Sequence, residues 1–196
     1  MKVVVIKYNA GNIFSVDYAL KRIGVEAEIT GDIEKIKAAD KVIFPGVGEA
    51  STTMAYLREH KLDEVIRNLR QPVLGICIGM QLLCDSSEEG NAKCLGVFDE
   101  KVLRFNPADP SVKVPHMGWN TIAHNGQGLF RGLPENPYVY YVHSYYATVG
   151  ENTVATTDYV QPFSASLKRD NFYAVQFHPE KSGAIGEQIL KNFIEI

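Results

Sequence analysis

The chain has 196 residues, 45% of them hydrophobic and 22% charged, with a formal net charge of −3. That balance excludes a disordered chain and leaves no basic patch for nucleic acid, and no apolar stretch approaches the roughly 20 residues of a membrane span. Cys77, Cys84 and Cys94 leave an odd thiol without a disulfide framework and match no common zinc spacing, so neither metal nor cofactor is expected. Met1-Lys-Val-Val-Val-Ile6 is too short for a signal peptide's apolar core and reads as a first strand, which points to the cytoplasm.

The first half alternates. A strand is predicted over 3–6, then a helix over 13–23 that offers Phe14, Leu20 and Ile23 to the core and stops at Gly24. A strand over 26–29, a short helix over 32–38 and a strand over 42–44 follow. Helical patterns cover 50–58 and 62–69, and a strand over 73–76 leads into Cys77. Cys84, seven residues further along the same helix, packs inward. After about Leu95 the pattern changes to short Val/Tyr/Phe-rich runs at 102–105, 138–143, 153–156, 163–167 and 173–177, with a last helix near 184–193. Repeated strand-helix-strand units imply a parallel sheet covered on both faces. The expected fold is α/β: a flavodoxin-like open, mostly parallel sheet with antiparallel strands added in the C-terminal half. One domain over 1–196 is expected.

Three segments carry chemistry. Pro72-Val-Leu-Gly-Ile-Cys-Ile-Gly-Met-Gln-Leu-Leu83 ends an apolar run at Gly-x-Cys-x-Gly. Glycine two residues either side of a nucleophile permits a sharp strand-to-helix turn, with the thiol at the positive end of the helix. Asn171-Phe-Tyr-Ala-Val-Gln-Phe-His-Pro-Glu180 supplies His178 as a base for that thiol and Glu180 as the acceptor that orients it. Lys41-Val-Ile-Phe-Pro-Gly-Val-Gly48 opens a strand into a Gly-flanked loop that can aim backbone N–H groups at an oxyanion. It is no Walker loop, because no Gly-Lys-Ser/Thr follows. All three pieces follow predicted strands, so they reach the same sheet edge. The order Cys77, His178, Glu180 fits neither the α/β-hydrolases nor the papain-like enzymes.

Together these segments resemble the class I (triad) glutamine amidotransferases over essentially the whole chain. Pro45-Gly-Val-Gly48, Gly11-Asn12, Pro115-His-Met-Gly-Trp-Asn120 and Tyr141-Val-His-Ser-Tyr145 are similar to one branch. That branch is the glutaminase of imidazole glycerol phosphate synthase, in histidine biosynthesis. The resemblance implies that Cys77 attacks the glutamine side-chain amide. His178, oriented by Glu180, would protonate the leaving ammonia and activate water against the glutamyl thioester. It implies oxyanion donors at Ile78 and at Val47 or Gly48, and substrate contacts from Gly46, Gln81, Glu89, Ser144 and Tyr145. A docking face is implied at Asn12, His116, Met117, Trp119, Asn120 and His143. Read without the resemblance, Trp119 fits a core residue better than an interface anchor, although polar His116 and Asn120 beside it suit the anchor too, and Gln81 and Glu89 are a polar helix residue and a loop charge.

Free ammonia is mostly protonated at neutral pH, so a glutaminase should pass it on sheltered from water. A (β/α)8 synthase needs about 250 residues, so the acceptor is expected to be a separate cyclase/synthase subunit in a heterodimer, yielding imidazole glycerol phosphate and AICAR. Docking near Trp119 is expected to gate catalysis through the Pro45–Gly48 loop, whose glycines let a peptide take two orientations. The rival readings are the glutaminase of another ammonia-channelling synthase, such as pyridoxal phosphate synthase, and a cysteine hydrolase of related fold. The Pro-His-Met-Gly-Trp-Asn segment disfavours the first, and Gln81 with the His-Pro-Glu spacing disfavours the second.

Overall fold

The computed structural model describes residues 1–9 and 13–196. Fourteen strands occur among them: β1 (Val3–Ile6), β2 (Ala27–Thr30), β3 (Lys41–Phe44), β4 (Val73–Ile76), β5 (Ser86–Ser87), β6 (Ala92–Lys93), β7 (Lys101–Arg104), β8 (His116–Thr121), β9 (Ala123–His124), β10 (Tyr138–His143), β11 (Tyr145–Ala147), β12 (Thr153–Asp158), β13 (Pro162–Arg169) and β14 (Phe172–Val175). The helices are α1 (Ile13–Arg22), α2 (Ile33–Lys37), α3 (Ala50–Glu59), α4 (Leu62–Arg67), α5 (Ile78–Leu83) and α6 (Gly183–Glu195).

Strands β2-β1-β3-β4-β14 run parallel, and antiparallel pairing adds β13-β12-β9 at one side. Every residue of β1, β3 and β4 is buried, as strands covered on both faces require. Side chains alternate across the sheet. Val3, Val5, Ile43, Leu74 and Ile76 pack with Val16 and Leu20 of α1 and Ile189, Leu190 and Phe193 of α6. Val4, Ile6, Val42 and Phe44 pack with Ile36 of α2, Met54 and Leu57 of α3, Ile66 of α4 and Leu82 of α5. Asp32 and Glu49 start α2 and α3 by accepting from the first free backbone N–H groups, as good N-caps do. Two smaller sheets, β11-β7-β5-β6 and β10-β8, are formed apart from the main sheet.

Two expectations are corrected. Phe14 is 69% exposed, not a core residue. The buried set on α1 is Ile13, Val16, Asp17, Ala19 and Leu20, a period that turns Phe14 outward. The strand β8 lies outside the expected set, because Gly118 and Asn120 weaken its strand character. No helix among the described residues is long and apolar enough to cross a membrane.

Candidate active site

Cys77 stands between β4 and α5 at φ 53°, ψ −108°. A non-glycine residue at such positive φ carries about 1–3 kcal/mol of strain and persists only when its surroundings over-determine it. Here they do. Cys77 N–H donates to the Val175 carbonyl at 2.8 Å, and Gln81 N–H donates to the Cys77 carbonyl at 3.2 Å. A Cβ on Gly75 would meet Leu83 Cδ1 at 2.8 Å, and one on Gly79 would collide with the Phe44 carbonyl. Both glycines are therefore required by close approach, as a nucleophile elbow demands.

His178 follows β14 and comes to the same edge. Its Nδ1 donates to Glu180 Oε1 at 2.7 Å, with both side chains buried. Its backbone is pinned from two sides: His178 N–H donates to the Tyr140 carbonyl at 2.9 Å, and the Ser182 hydroxyl donates to the His178 carbonyl at 2.6 Å. With Nδ1 committed to Glu180, the buried Nε2 is left for the thiol and a leaving group. Burial alone would lower the His178 pKa, but the Cys77 sulfur and the Glu180 carboxylate outweigh it and raise it to about 10. The arrangement thus favours a proton on His178 beside Cys77, the state a thiol–imidazole pair needs for attack.

A cavity of about 300 Å³ opens beside Cys77. Val47, Gly48, Ile78, Gln81, Glu89, Ser144 and Tyr145 line it. The structure so brings together every expected substrate or oxyanion residue except Gly46. That glycine packs against Tyr8 and Ile78, where a Cβ would overlap the Tyr8 hydroxyl and come within 2.7 Å of Ile78 Cγ2. The Tyr8 hydroxyl in turn donates to the Pro45 carbonyl and anchors the loop. Burial raises the Glu89 pKa, while Ala50 N–H at 2.9 Å from Oε2 works against that shift. Gln81 spends its Nε2 within the chain, on the Tyr145 carbonyl and on Gln176 Oε1, both at 2.9 Å. It shapes the cavity wall through those bonds.

Gln176 escaped the sequence reading. It is fully buried, and its Nε2 donates to Cys77 Sγ at 3.7 Å. The one signal was an amide interrupting the apolar run before His178.

On the β8–β10 sheet, Met117, Trp119 and Tyr138 are exposed on one face, and Trp119 meets Tyr140 edge to face at 5.8 Å. Trp119 is thus not a core residue. His116 and His143, expected on the docking face, point the other way and are buried, 4% and 5% exposed. They pair across the strands, so the period of two that exposes Met117 and Trp119 turns His116 inward. Asn120 is partly buried and donates to the Asp158 carbonyl at 2.9 Å. Asn12 lies outside the described residues. Among the described residues no cluster of His, Cys, Asp and Glu could hold a metal ion.

The family model "Glutamine amidotransferase class-I" matches residues 4–196. The chain belongs to the class-I glutamine amidotransferase family. This amidotransferase is 66% identical to the imidazole glycerol phosphate synthase subunit HisH of Bacteroides fragilis over 196 residues, all of both chains. It is 62% identical to the protein of that name from Bacteroides thetaiotaomicron, again over all of both chains. The Yersinia pestis protein of that name is 47% identical, also at full coverage of both. Two solved structures share the amidotransferase fold. A glutamine amidotransferase matches with TM-score 0.76 at 21% identity, covering 100% of this chain and 98% of that one. A second glutamine amidotransferase, from Thermotoga maritima, matches with TM-score 0.62 at 18% identity, covering 100% and 81%.

Proposed function

We propose that this chain is the glutaminase subunit of an imidazole glycerol phosphate synthase, acting in histidine biosynthesis. It hydrolyses L-glutamine to glutamate and ammonia and hands the ammonia to a separate (β/α)8 synthase chain in a heterodimer. The observation that carries the reading is the buried Cys77–His178–Glu180 constellation on a cavity sized for an amino acid. Full-length identity of 62–66% to relatives named as that synthase's subunit HisH supports the choice of pathway.

The chemistry proceeds in two halves. The Cys77 sulfur, its proton already held by His178, attacks the side-chain amide carbon, and the carbonyl oxygen becomes an oxyanion. Backbone N–H groups of Ile78 and of Val47 or Gly48 stabilise that charge, a donor of this kind being worth roughly 10²–10³ in rate. The C–N bond then breaks, and His178 passes its proton to the departing ammonia. A glutamyl thioester remains on Cys77. His178 next takes a proton from water, the hydroxide attacks the thioester, the C–S bond breaks, and glutamate leaves with the proton held by His178 beside the Cys77 sulfur as at the start. Glu180 holds the imidazole tautomer throughout and never needs to accept the proton. Glu89 takes the substrate's α-amino group, and Ser144 and Tyr145 face its amino-acid end.

The exposed Met117, Trp119 and Tyr138 form the synthase-docking face, since aromatic side chains and Met are enriched in the centre of interfaces. The direct test measures glutamate and ammonia release by the chain alone and with the synthase chain. Glutamine hydrolysis that rises on adding the synthase supports the reading, and no hydrolysis under either condition overturns it.

A further inference from the structure

The Tyr145 carbonyl is the fixed point of a hydrogen-bond chain that the catalytic steps do not use. It accepts from His143 Nδ1 at 2.7 Å and from Gln81 Nε2 at 2.9 Å. A carbonyl only accepts, so His143 Nδ1 carries a hydrogen, and in a neutral ring its Nε2 must accept. His116 Nδ1, 3.0 Å away, is therefore the donor, and His116 Nε2 accepts from Asn120 Nδ2 at 3.3 Å. Burial keeps both rings neutral, lowering the pKa of His116 to about 4 and that of His143 to about 3. On the other branch Gln81 Nε2 donates to Gln176 Oε1, which turns the Gln176 amide so that its N–H groups face Cys77 Sγ. Gln81 and Asn120 each have two N–H hydrogens and two acceptors for them, Asn120 using the Asp158 carbonyl as well. Each direction is thus determined by its neighbours. A buried polar chain satisfied in this way is stiff, and breaking one link disturbs the rest.

The two ends lie in telling places. Asn120 and His116 sit on β8 beside exposed Met117 and Trp119, and Gln176 ends at the sulfur. We propose that Gln176 is a positioning residue for the Cys77 nucleophile, and that the chain from Asn120 through His116, His143, the Tyr145 carbonyl and Gln81 aims it. A partner seated on β8 would then be felt at the sulfur. The inference deepens the glutaminase reading and rests on it for the role of Cys77. Physically, the Gln176 N–H stabilises negative charge on sulfur once His178 has taken the proton, and a hydrogen bond to a charged group is a strong one.

The test is alkylation of Cys77 by iodoacetamide in the full chain, followed site by site by peptide mass spectrometry. All three cysteines are buried, but only Cys77 lines the cavity, so Cys84 and Cys94 serve as internal controls. Gln176→Met keeps the volume and removes the donor. It should slow Cys77 alkylation at neutral pH about tenfold, the cost of one such bond, and move the midpoint of its pH profile upward. In the synthase complex it should lower kcat by a similar factor with KM little changed. His116→Leu should slow alkylation less, and the double variant should be no slower than Gln176→Met alone, because both cut one chain. Wild-type alkylation rate and midpoint in Gln176→Met would overturn the role of Gln176. Effects that multiply in the double variant would overturn the relay. If Gln176→Met does not fold, Gln81→Met cuts the chain one link earlier and must slow alkylation in the same way, or the proposal fails. Alkylation needs no glutamine, so a wild-type complex that releases no glutamate would sink the glutaminase reading while leaving this measurement intact.

Discussion

The elbow around Cys77 and the β8–β10 sheet are held by different forces. At the elbow, backbone sterics dominate: the chain passes so close to itself that only glycine fits at 75 and 79, and Cys77 is forced to positive φ. In the β8–β10 sheet, side-chain hydrogen bonds and ring packing dominate, with His116 stacked between Tyr141 and Tyr159 at 4.7 and 4.0 Å. A steric constraint is all-or-none and local. A polar network is adjustable and reaches far. The first suits a nucleophile that must not move, and the second suits a face that must report on a partner.

The comparison breaks most sharply at the nucleophile. Cys77→Ser should cut glutaminase turnover by at least about 10⁴-fold, because removing a nucleophile usually costs several orders of magnitude. The fold and docking should survive, since the elbow is held by Gly75, Gly79 and backbone bonds and not by the sulfur. Glutamate release and a binding isotherm with the synthase check both halves. More than about a tenth of wild-type turnover would remove Cys77 from the mechanism.

Glu180→Gln comes next. The amide keeps the volume but can present an N–H to Nδ1 and stabilise the wrong tautomer, so kcat should fall by about 10²–10⁴. The carboxylate lies behind His178, away from the cavity lining, so KM should stay within about threefold. A large rise in KM at unchanged kcat would assign Glu180 to substrate binding instead.

Much of the elbow was legible in the sequence and little of the β8–β10 sheet was, for one physical reason. Gly75, Cys77 and Gly79 form one contiguous run and His178-Pro179-Glu180 another, so the spacing within each reports its local geometry, and the two motifs together point to a shared site. The inward turn of His116 depends on pairing with His143, 27 residues away. Gln176 meets Cys77 across 99 positions. Phe14 was misplaced because one residue's shift in a helix moves a side chain by about 100°. Pairings set by tertiary structure leave no local periodicity to read.

Trp119→Ala tests the adjustable half with a smaller effect. The indole is 56% exposed, so folding stability should change by no more than about 0.5 kcal/mol in urea titrations. Affinity for the synthase should fall about 30-fold if Trp119 is a central anchor worth about 2 kcal/mol. The isolated chain should turn glutamine over slowly, and stimulation by the synthase should shrink with the affinity. If the lone chain already works at the rate of the complex, the Pro45–Gly48 loop is a static oxyanion hole and no gating is needed.

The smallest effect distinguishes the two regions by the sign of their pH dependence. His178 binds its proton more tightly folded, with a pKa of about 10 against 6.5 unfolded. Its contribution to stability is fully present below pH 6.5 and is lost as pH rises towards 10. His116 and His143 behave oppositely: burial lowers them to about 4 and about 3. Between those values and 6.5 the unfolded chain binds more protons, so their region loses stability as pH falls. Urea midpoints measured from pH 4 to 10 should therefore decline on both sides of a maximum near 6.5. His178→Asn should flatten the alkaline arm and leave the acid arm standing, while His116→Leu should flatten part of the acid arm only. Cys77→Ser should also soften the alkaline arm, because the sulfur is the foremost influence raising His178. An alkaline arm unchanged in His178→Asn would mean that the proton held beside Cys77 adds nothing to folding, and the elbow would then owe its stability to sterics alone.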